Sequence, residues 1–218
     1  MNFQLIKYEL QNILSGKSGI SYDSFIQAIT NYLRTSTRAS PMAEEKHQNK
    51  SEETKKLIEF ATEKQLFITD IDPEQYIAEG AEQKVFMKDA YNVIKLNDAI
   101  YYASWEDYFF NLLLHNYFFA DTAYKFLGFY LQNNTLYAVV SQIFVQADSP
   151  TELSLVKEFL ENNGFVNTKN NDYYHPYLGI ILEDLHDENV LTNQGILYFI
   201  DTVFYIKPDV FWNNDNFQ

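Results

Sequence analysis

The 218-residue chain has no cysteine, which excludes a disulfide scaffold, thiol catalysis and cysteine-ligated zinc. No apolar run approaches the roughly 20 residues needed to span a bilayer. The segment after Met1 alternates polar and apolar residues at helical spacing, unlike a signal peptide, so the expectation is a soluble cytoplasmic protein. Arginine is missing after Arg38, and 16 basic residues face 30 acidic ones, a net charge of −14. The deficit is uneven: residues 1–100 hold 12 basic and 15 acidic side chains, residues 101–218 only 4 and 15. Nucleic acids and anionic membranes are therefore poor partners, because both need clustered Lys and Arg. Cations, or an anion that arrives with its metal, suit such a chain better.

What is present is apolar periodicity over most of the length. Stripes at Phe3, Leu5, Ile6, Leu10, Ile13 and Leu14 and at Phe25, Ile26, Ala28, Ile29 and Leu33 predict a helical hairpin over residues 1–36, broken around 15–19. Gly16-Lys17-Ser18 is not a phosphate-binding P-loop, since no buried strand precedes it and position 11 is Gln11. Residues 37–54 are polar and aperiodic and are expected to be a linker, followed by a helix from Glu53 to Lys64. Three short strands are predicted at 76–78, 84–87 and 92–96, then a helix over 104–119 capped by Ser104, then strands at 125–131 and 135–144. A helix over 150–162 and strands at 178–182 and 196–200 follow, flanking an acidic loop. The order predicts an α+β fold. Most of the 37 Tyr, Phe and Trp residues are expected to be core.

The candidate chemistry lies in that loop and its surroundings. Asp184 precedes Asn189 by five residues, and Asp201 follows twelve residues later at the end of the strand Leu197-Tyr198-Phe199-Ile200. In isolation, Asp and Asn in a turn also cap backbone groups. The spacing resembles the kinase superfamily, in which a catalytic-loop Asp is followed by a metal-binding Asn and a second metal-binding Asp. A polyphosphate sits beside carboxylates only when divalent cations bridge them, so the resemblance implies Mg²⁺ at Asn189 and Asp201, with Asp184 orienting or deprotonating the acceptor.

Upstream, Glu79-Gly80-Ala81-Glu82-Gln83 stands where a nucleotide loop would join two strands, and Val93-Ile94-Lys95-Leu96 matches a third-strand lysine motif. Lys95 alternates with Ile94 and Leu96, so its side chain leaves the opposite face. Glu106 is its candidate acidic partner on the following helix, the alternative being stabilisation of the first turn by the helix dipole. Asp107 has the competing capping role. Ser141 to Val145 corresponds to a hinge, with Gln142 and Phe144 as candidate nucleotide contacts.

Together with Ser104-Trp105-Glu106, Leu114-His115-Asn116 and Tyr124 to Gly128, these motifs resemble the kinase-like domain of polyvalent proteins from phages and mobile elements, over roughly residues 55–206. The resemblance implies a minimal protein-kinase-like fold: a five-stranded antiparallel N-lobe sheet with one helix, and a truncated C-lobe. It implies ATP and Mg²⁺ as cofactors, a nucleotide partner, and a protein substrate or partner. Asp184, Lys95 and Glu106 would be catalytic, Gly80, Lys95, Gln142 and Phe144 would contact nucleotide, and Asn189 and Asp201 would bind metal. His115-Asn116 receives no role.

The sequence departs from the pattern in the nucleotide loop, where Ala78 and Gln83 replace two glycines, and after Asp201, where Thr202-Val203 replaces Phe-Gly. Seventeen residues follow Asp201, an expected tail over 207–218 with no room for a full substrate-binding lobe. An inactive pseudokinase is therefore the alternative to a phosphotransferase. A metal-dependent hydrolase built on His186, Asp187 and Asp201 is weaker, because the nearest other histidine, His175, is 11 residues away.

Overall fold

The structure is a computed structural model that describes residues 1–17, 24–37, 46–80 and 83–213. Ser18 and Gly19 of the expected hairpin break, residues 38–45 of the expected linker, Ala81 and Glu82 of the nucleotide loop, and residues 214–218 lie outside the described residues. Helices α1 (Phe3–Leu14), α2 (Ser24–Thr37) and α3 (Lys46–Glu63) open the chain. The chain divides into two compact units: Gly19–Leu112 with Tyr124–Phe144, and Met1–Ser18 with Leu113–Ala123 and Val145–Gln218. Helices α1 and α2, expected as a hairpin, therefore belong to different units.

The first unit carries β1 (Tyr76–Glu79), β2 (Gln83–Asp89), β3 (Asn92–Asn97), most of α4 (Trp105–Phe118), β4 (Lys125–Gln132) and β5 (Thr135–Ile143). Its sheet is antiparallel in the order β1-β2-β3-β5-β4. The β4–β5 hairpin closes through Asn133 and Asn134, both at positive φ (50° and 64°), as a two-residue turn matched to strand twist requires. Phe109 of α4 meets Phe126 and Phe129 of β4 edge to face, and all three rings are buried. Gly128 admits a further segment, since a Cβ there would stand 2.2 Å from the carbonyl oxygen of Leu66. That carbonyl accepts from the Phe129 N–H at 2.8 Å.

The expected linker is partly helix: α3 begins at Lys46, seven residues before Glu53. Lys50, Glu53 and Thr54 of this helix hold polar groups on the approach to α4 where an apolar stripe would otherwise run. Lys50 Nζ donates to the carbonyls of Ala99 and Tyr102. Thr54 Oγ1 accepts from the Trp105 indole at 2.9 Å, and Glu53 accepts from the Trp105 backbone N–H at 2.7 Å. Glu53 thus serves the N-terminus of α4 together with Ser104, whose hydroxyl accepts from the Asp107 N–H at 3.0 Å.

The second unit contains α1, the end of α4, and α5 (Leu153–Asn162), followed by β6 (Val166–Lys169), β7 (Asp172–His175), β8 (Ile180–Glu183), β9 (Val190–Asn193), β10 (Ile196–Phe199), β11 (Val203–Ile206) and α6 (Pro208–Phe211). Its sheets are β11-β8-β7-β6 and β10-β9. Two strands were expected after α5 and six are present. The four additional ones are β6, β7, β9 and β11, each four residues long. The expected tail carries α6, which α1 holds: Lys7, 1 % exposed, donates from Nζ to the carbonyls of Val210 (2.6 Å) and Asn213 (2.7 Å), and Gln11 donates to that of Phe211 (2.6 Å). These contacts satisfy the carbonyls that a helix C-terminus leaves open. Among the described residues, no helix is long and apolar enough to cross a membrane.

Burial, with Glu106 and Asp107 nearby, pushes the Glu53 carboxyl up to about 7 against the opposing pull of the Trp105 N–H. A carboxyl raised on folding binds more protons in the native state between its unfolded and folded values. Stability should therefore fall as pH rises from about 4.5 to 7 and be flat above, by up to roughly 3 kcal/mol for this group. Urea unfolding across that range should show the slope in the wild type and a clear flattening in Glu53→Gln, which keeps an acceptor for Trp105; an unchanged slope in the variant would remove Glu53 as its source.

Candidate active site

Strand β8 delivers the chain to Asp184, which adopts the left-handed region (φ 64°) that Asp and Asn tolerate better than most residues. The turn is cross-tied. The Asp184 N–H donates to Asp172 Oδ1 at 3.3 Å, and its carbonyl accepts from the His186 N–H at 3.0 Å. Asn189 Nδ2 donates to both the carbonyl and Oδ2 of Asp184, each at 2.8 Å. Because both partners are acceptors, the amide orientation follows: the NH₂ faces Asp184, which leaves Asn189 Oδ1 as the outward oxygen.

His186 completes the tie. Its Nδ1 lies 3.0 Å from the Asn171 amide nitrogen and its Nε2 3.1 Å from Asp184 Oδ1. The consistent assignment has Asn171 donating to Nδ1, so Nε2–H donates to the Asp184 carboxylate. Each oxygen of that carboxylate thus holds one donor and keeps lone pairs for another. Next to it, Glu183 is pushed up by burial, helped by Asp172 and Asp184.

Asp201 reaches the same place through the backbone. The Asn189 carbonyl accepts from the N–H groups of Ile200 (2.9 Å) and Asp201 (3.3 Å), so the residue that fixes Asp184 also anchors the start of the Asp201 loop. The structure brings Asp184, Asn189 and Asp201 together within one unit. Asn189 Oδ1 and the Asp201 carboxylate are hard oxygen donors of the kind Mg²⁺ takes. Among the described residues there is no group of three or more His, Cys, Asp or Glu side chains that could hold a metal ion.

A brace that the sequence did not reveal flanks Asp201. His115, fully buried on α4, donates from Nε2 to the Thr122 carbonyl (3.0 Å), which sets Nδ1 to accept from the Thr202 hydroxyl (2.7 Å). Thr122 Oγ1 donates to the Phe199 carbonyl at 2.5 Å. The residues on either side of Ile200-Asp201 are held by one buried histidine and one buried threonine, and the Phe119 and Phe199 rings stack at 4.1 Å beside them. A histidine inside an apolar helical run has no local signature, and its partners are far away in sequence.

The other expected residues lie in the five-stranded unit. Lys95 is 4 % exposed, in register with Val85 and Val140, and its Nζ stands 5.4 Å from the Tyr124 ring centroid. Gln142 is buried and in register with Val93. The Phe144 N–H donates to the Tyr91 carbonyl at 2.7 Å, so that hinge donor is committed to the protein. Gly80 has nothing within 4 Å of a Cβ built on it, so packing does not demand glycine there. Glu106, expected to face Lys95, forms its ion pair with Arg34 of α2, 2.5 Å from Nε to Oε1.

Compared with protein families, residues 50–208 match the one described as Serine/Threonine/Tyrosine Kinase found in polyvalent proteins. The chain belongs to this family. No curated protein and no solved structure matches it. The kinase family match begins at Lys50, inside α3 and ahead of the expected start at 55, and so includes Lys50, Glu53 and Thr54, which hold the approach to α4. It leaves out α1 and α2, and with them Lys7, Gln11 and Arg34.

The brace predicts a selective cost. Thr202→Val leaves the buried Nδ1 of His115 without its hydroxyl and should lower stability by about 1–3 kcal/mol in denaturant unfolding, whereas Thr202→Ser should stay close to wild type. Equal losses in the two variants would mean that the methyl, not the hydroxyl, matters.

Proposed function

We propose that the protein is an ATP- and Mg²⁺-dependent phosphotransferase of minimal kinase-like type acting on an alcohol group. The observation that supports this reading most is the Asn189 tie, in which one side chain and its carbonyl gather Asp184, Asn189 and Asp201. Asp184 hydrogen-bonds the acceptor hydroxyl and takes its proton at a carboxylate oxygen, held in place by His186 and Asn189. Lys95 pairs with the donor phosphates, and its burial strengthens that attraction. Asn189 Oδ1 and the Asp201 carboxylate hold Mg²⁺, which when bound offsets the repulsion between the donor phosphates and this acidic loop. Gly80 leaves room for close approach of the nucleotide, in keeping with the open space around it.

A second reading, a nucleotide- or partner-binding pseudokinase, is favoured by the ion pair of Glu106 with Arg34, a residue outside the family match. Isothermal titration of ATP with and without Mg²⁺, on wild type and Asp201→Ala, tests the shared premise: binding should weaken at least tenfold when either the ion or the carboxylate is removed. Phosphate transfer from labelled ATP then separates the two readings. Asp184→Asn, compatible with the positive φ, should keep nucleotide binding and lose transfer by about 10²–10⁴-fold. Wild-type binding without any transfer, including to itself, would establish the pseudokinase.

A further inference from the structure

The side chains of Asp184 and His186 are both half exposed, so packing does not aim either one. Directional hydrogen bonds do. Asn189 holds Asp184 Oδ2 from within the loop. The other supports lead outside it, and both end on the turn of the β6–β7 hairpin. Asp172 Oδ1 accepts from the Asp184 N–H at 3.3 Å. Asn171 Nδ2 donates to His186 Nδ1 at 3.0 Å, which leaves Nε2–H to donate to Asp184 Oδ1 at 3.1 Å. An exposed imidazole bonded at one nitrogen alone can swing about its side-chain torsions, whereas a second bond at Nδ1 fixes the ring plane and with it the direction of Nε2–H.

The turn is itself tied down. It passes through Asn170 (φ 51°) and Asn171, and Asn167 Nδ2 donates to the carbonyls of Asn170 (2.9 Å) and Asp172 (3.1 Å). Thr168, the extra residue where β6 shifts register against β7, donates its hydroxyl to the same Asp172 carbonyl at 3.1 Å. Strand β7 pairs with β8 at Tyr173 and Leu182, both buried, so the turn and Asp184 project from one shared anchor.

We propose that Asn171 is a positioning residue for phosphoryl transfer: through His186 it fixes the direction in which the Asp184 carboxylate meets the acceptor hydroxyl, while Asp172 fixes the backbone from which that carboxylate projects. The proposal rests on the phosphotransferase reading of Asp184. With Oδ1 held by His186 and Oδ2 by Asn189, rotation of the carboxylate would break both bonds, so its remaining lone pairs keep one orientation. Without Asn171 the Oδ1 tie loosens and the carboxylate can turn about its bond to Asn189. A displacement of about 1 Å at a reacting group costs up to about 10²-fold in rate. The proposed nucleotide contacts, Lys95 and the metal at Asn189 and Asp201, do not include Asn171, so the loss falls on turnover and not on ATP binding.

Two measurements on the full chain test this. In ¹⁵N NMR of the imidazoles, wild-type His186 should show a protonated Nε2 and a hydrogen-bonded, unprotonated Nδ1, and Asn171→Ala should move the Nδ1 resonance downfield as that bond is lost. Transfer from labelled ATP with Mg²⁺, to the protein itself and to water, should fall about tenfold in kcat in Asn171→Ala, with KM for ATP within about twofold of wild type. His186→Ala should lose at least as much, and the double variant should match His186→Ala, because an Asn171 that acts through His186 then has nothing left to position. Losses that multiply in the double variant would overturn the proposal, as would a changed KM with unchanged kcat. A wild-type Nδ1 without a hydrogen bond overturns it alone and leaves the phosphotransferase reading standing. Absence of any transfer by the wild type, with the tie intact in the NMR spectrum, overturns that reading, and the role of Asn171 falls with it.

Discussion

The acidic half of the chain is organised around a side chain that carries no charge. Asn189 spends its amide hydrogens on Asp184 and its carbonyl on the backbone of Ile200 and Asp201. A carboxylate here would repel Asp184 and an aliphatic residue would leave a left-handed turn untied, so the geometry of both aspartates depends on an amide at this position. The same interaction explains how carboxylates can crowd into one loop. The Asp184 carboxylate is held by neutral hydrogen-bond donors, His186 and Asn189, in a region where lysine is scarce and arginine does not occur. The neighbouring Glu183 carboxyl is raised, first by its burial and then by Asp172 and Asp184.

Donors are likewise the means by which the N-terminal helices join the rest. Lys7 and Gln11 of α1 supply hydrogen bonds to the carbonyls around α6, and Lys50, Glu53 and Thr54 of α3 serve the backbone and indole leading into α4. Side chain to backbone contacts of this sort are directional and expensive to leave unmade, so they fix register where an apolar stripe fixes only a face. They also cost the long side chains their freedom, and the Lys7 ammonium is shifted down by its burial.

That distinction accounts for what was legible in the sequence. Strands β1 to β5 and helix α4 stand out because short β-branched or aromatic runs between turn residues, apolar helical spacing and a capping serine are local signals. Asp184, Asn189 and Asp201 stand out because they lie close together in sequence at a spacing that resembles the kinase pattern. The start of α3 does not, since polar residues that bond distant backbone look like linker. Nor does the brace of His115, whose partner Thr202 is 87 residues away, or the pairing of Glu106, decided by Arg34 from a helix 72 residues earlier. Of the four-residue strands of the second unit, β8 and β10 stand out as apolar runs, whereas polar residues make up half or more of β6, β7 and β9.

The Arg34–Glu106 pair is weaker than its short distance suggests. Its side chains are 26 % and 31 % exposed, so solvent screens the attraction, and such a pair contributes about 0–1 kcal/mol. Part of what holds Arg34 is independent of Glu106, because its guanidinium also lies 4.8 Å from the centroid of the Phe110 ring. Losing the carboxylate therefore costs Arg34 little. Lys95 is far more deeply buried, and an ammonium in that setting gains more from a nearby carboxylate than a part-exposed guanidinium does.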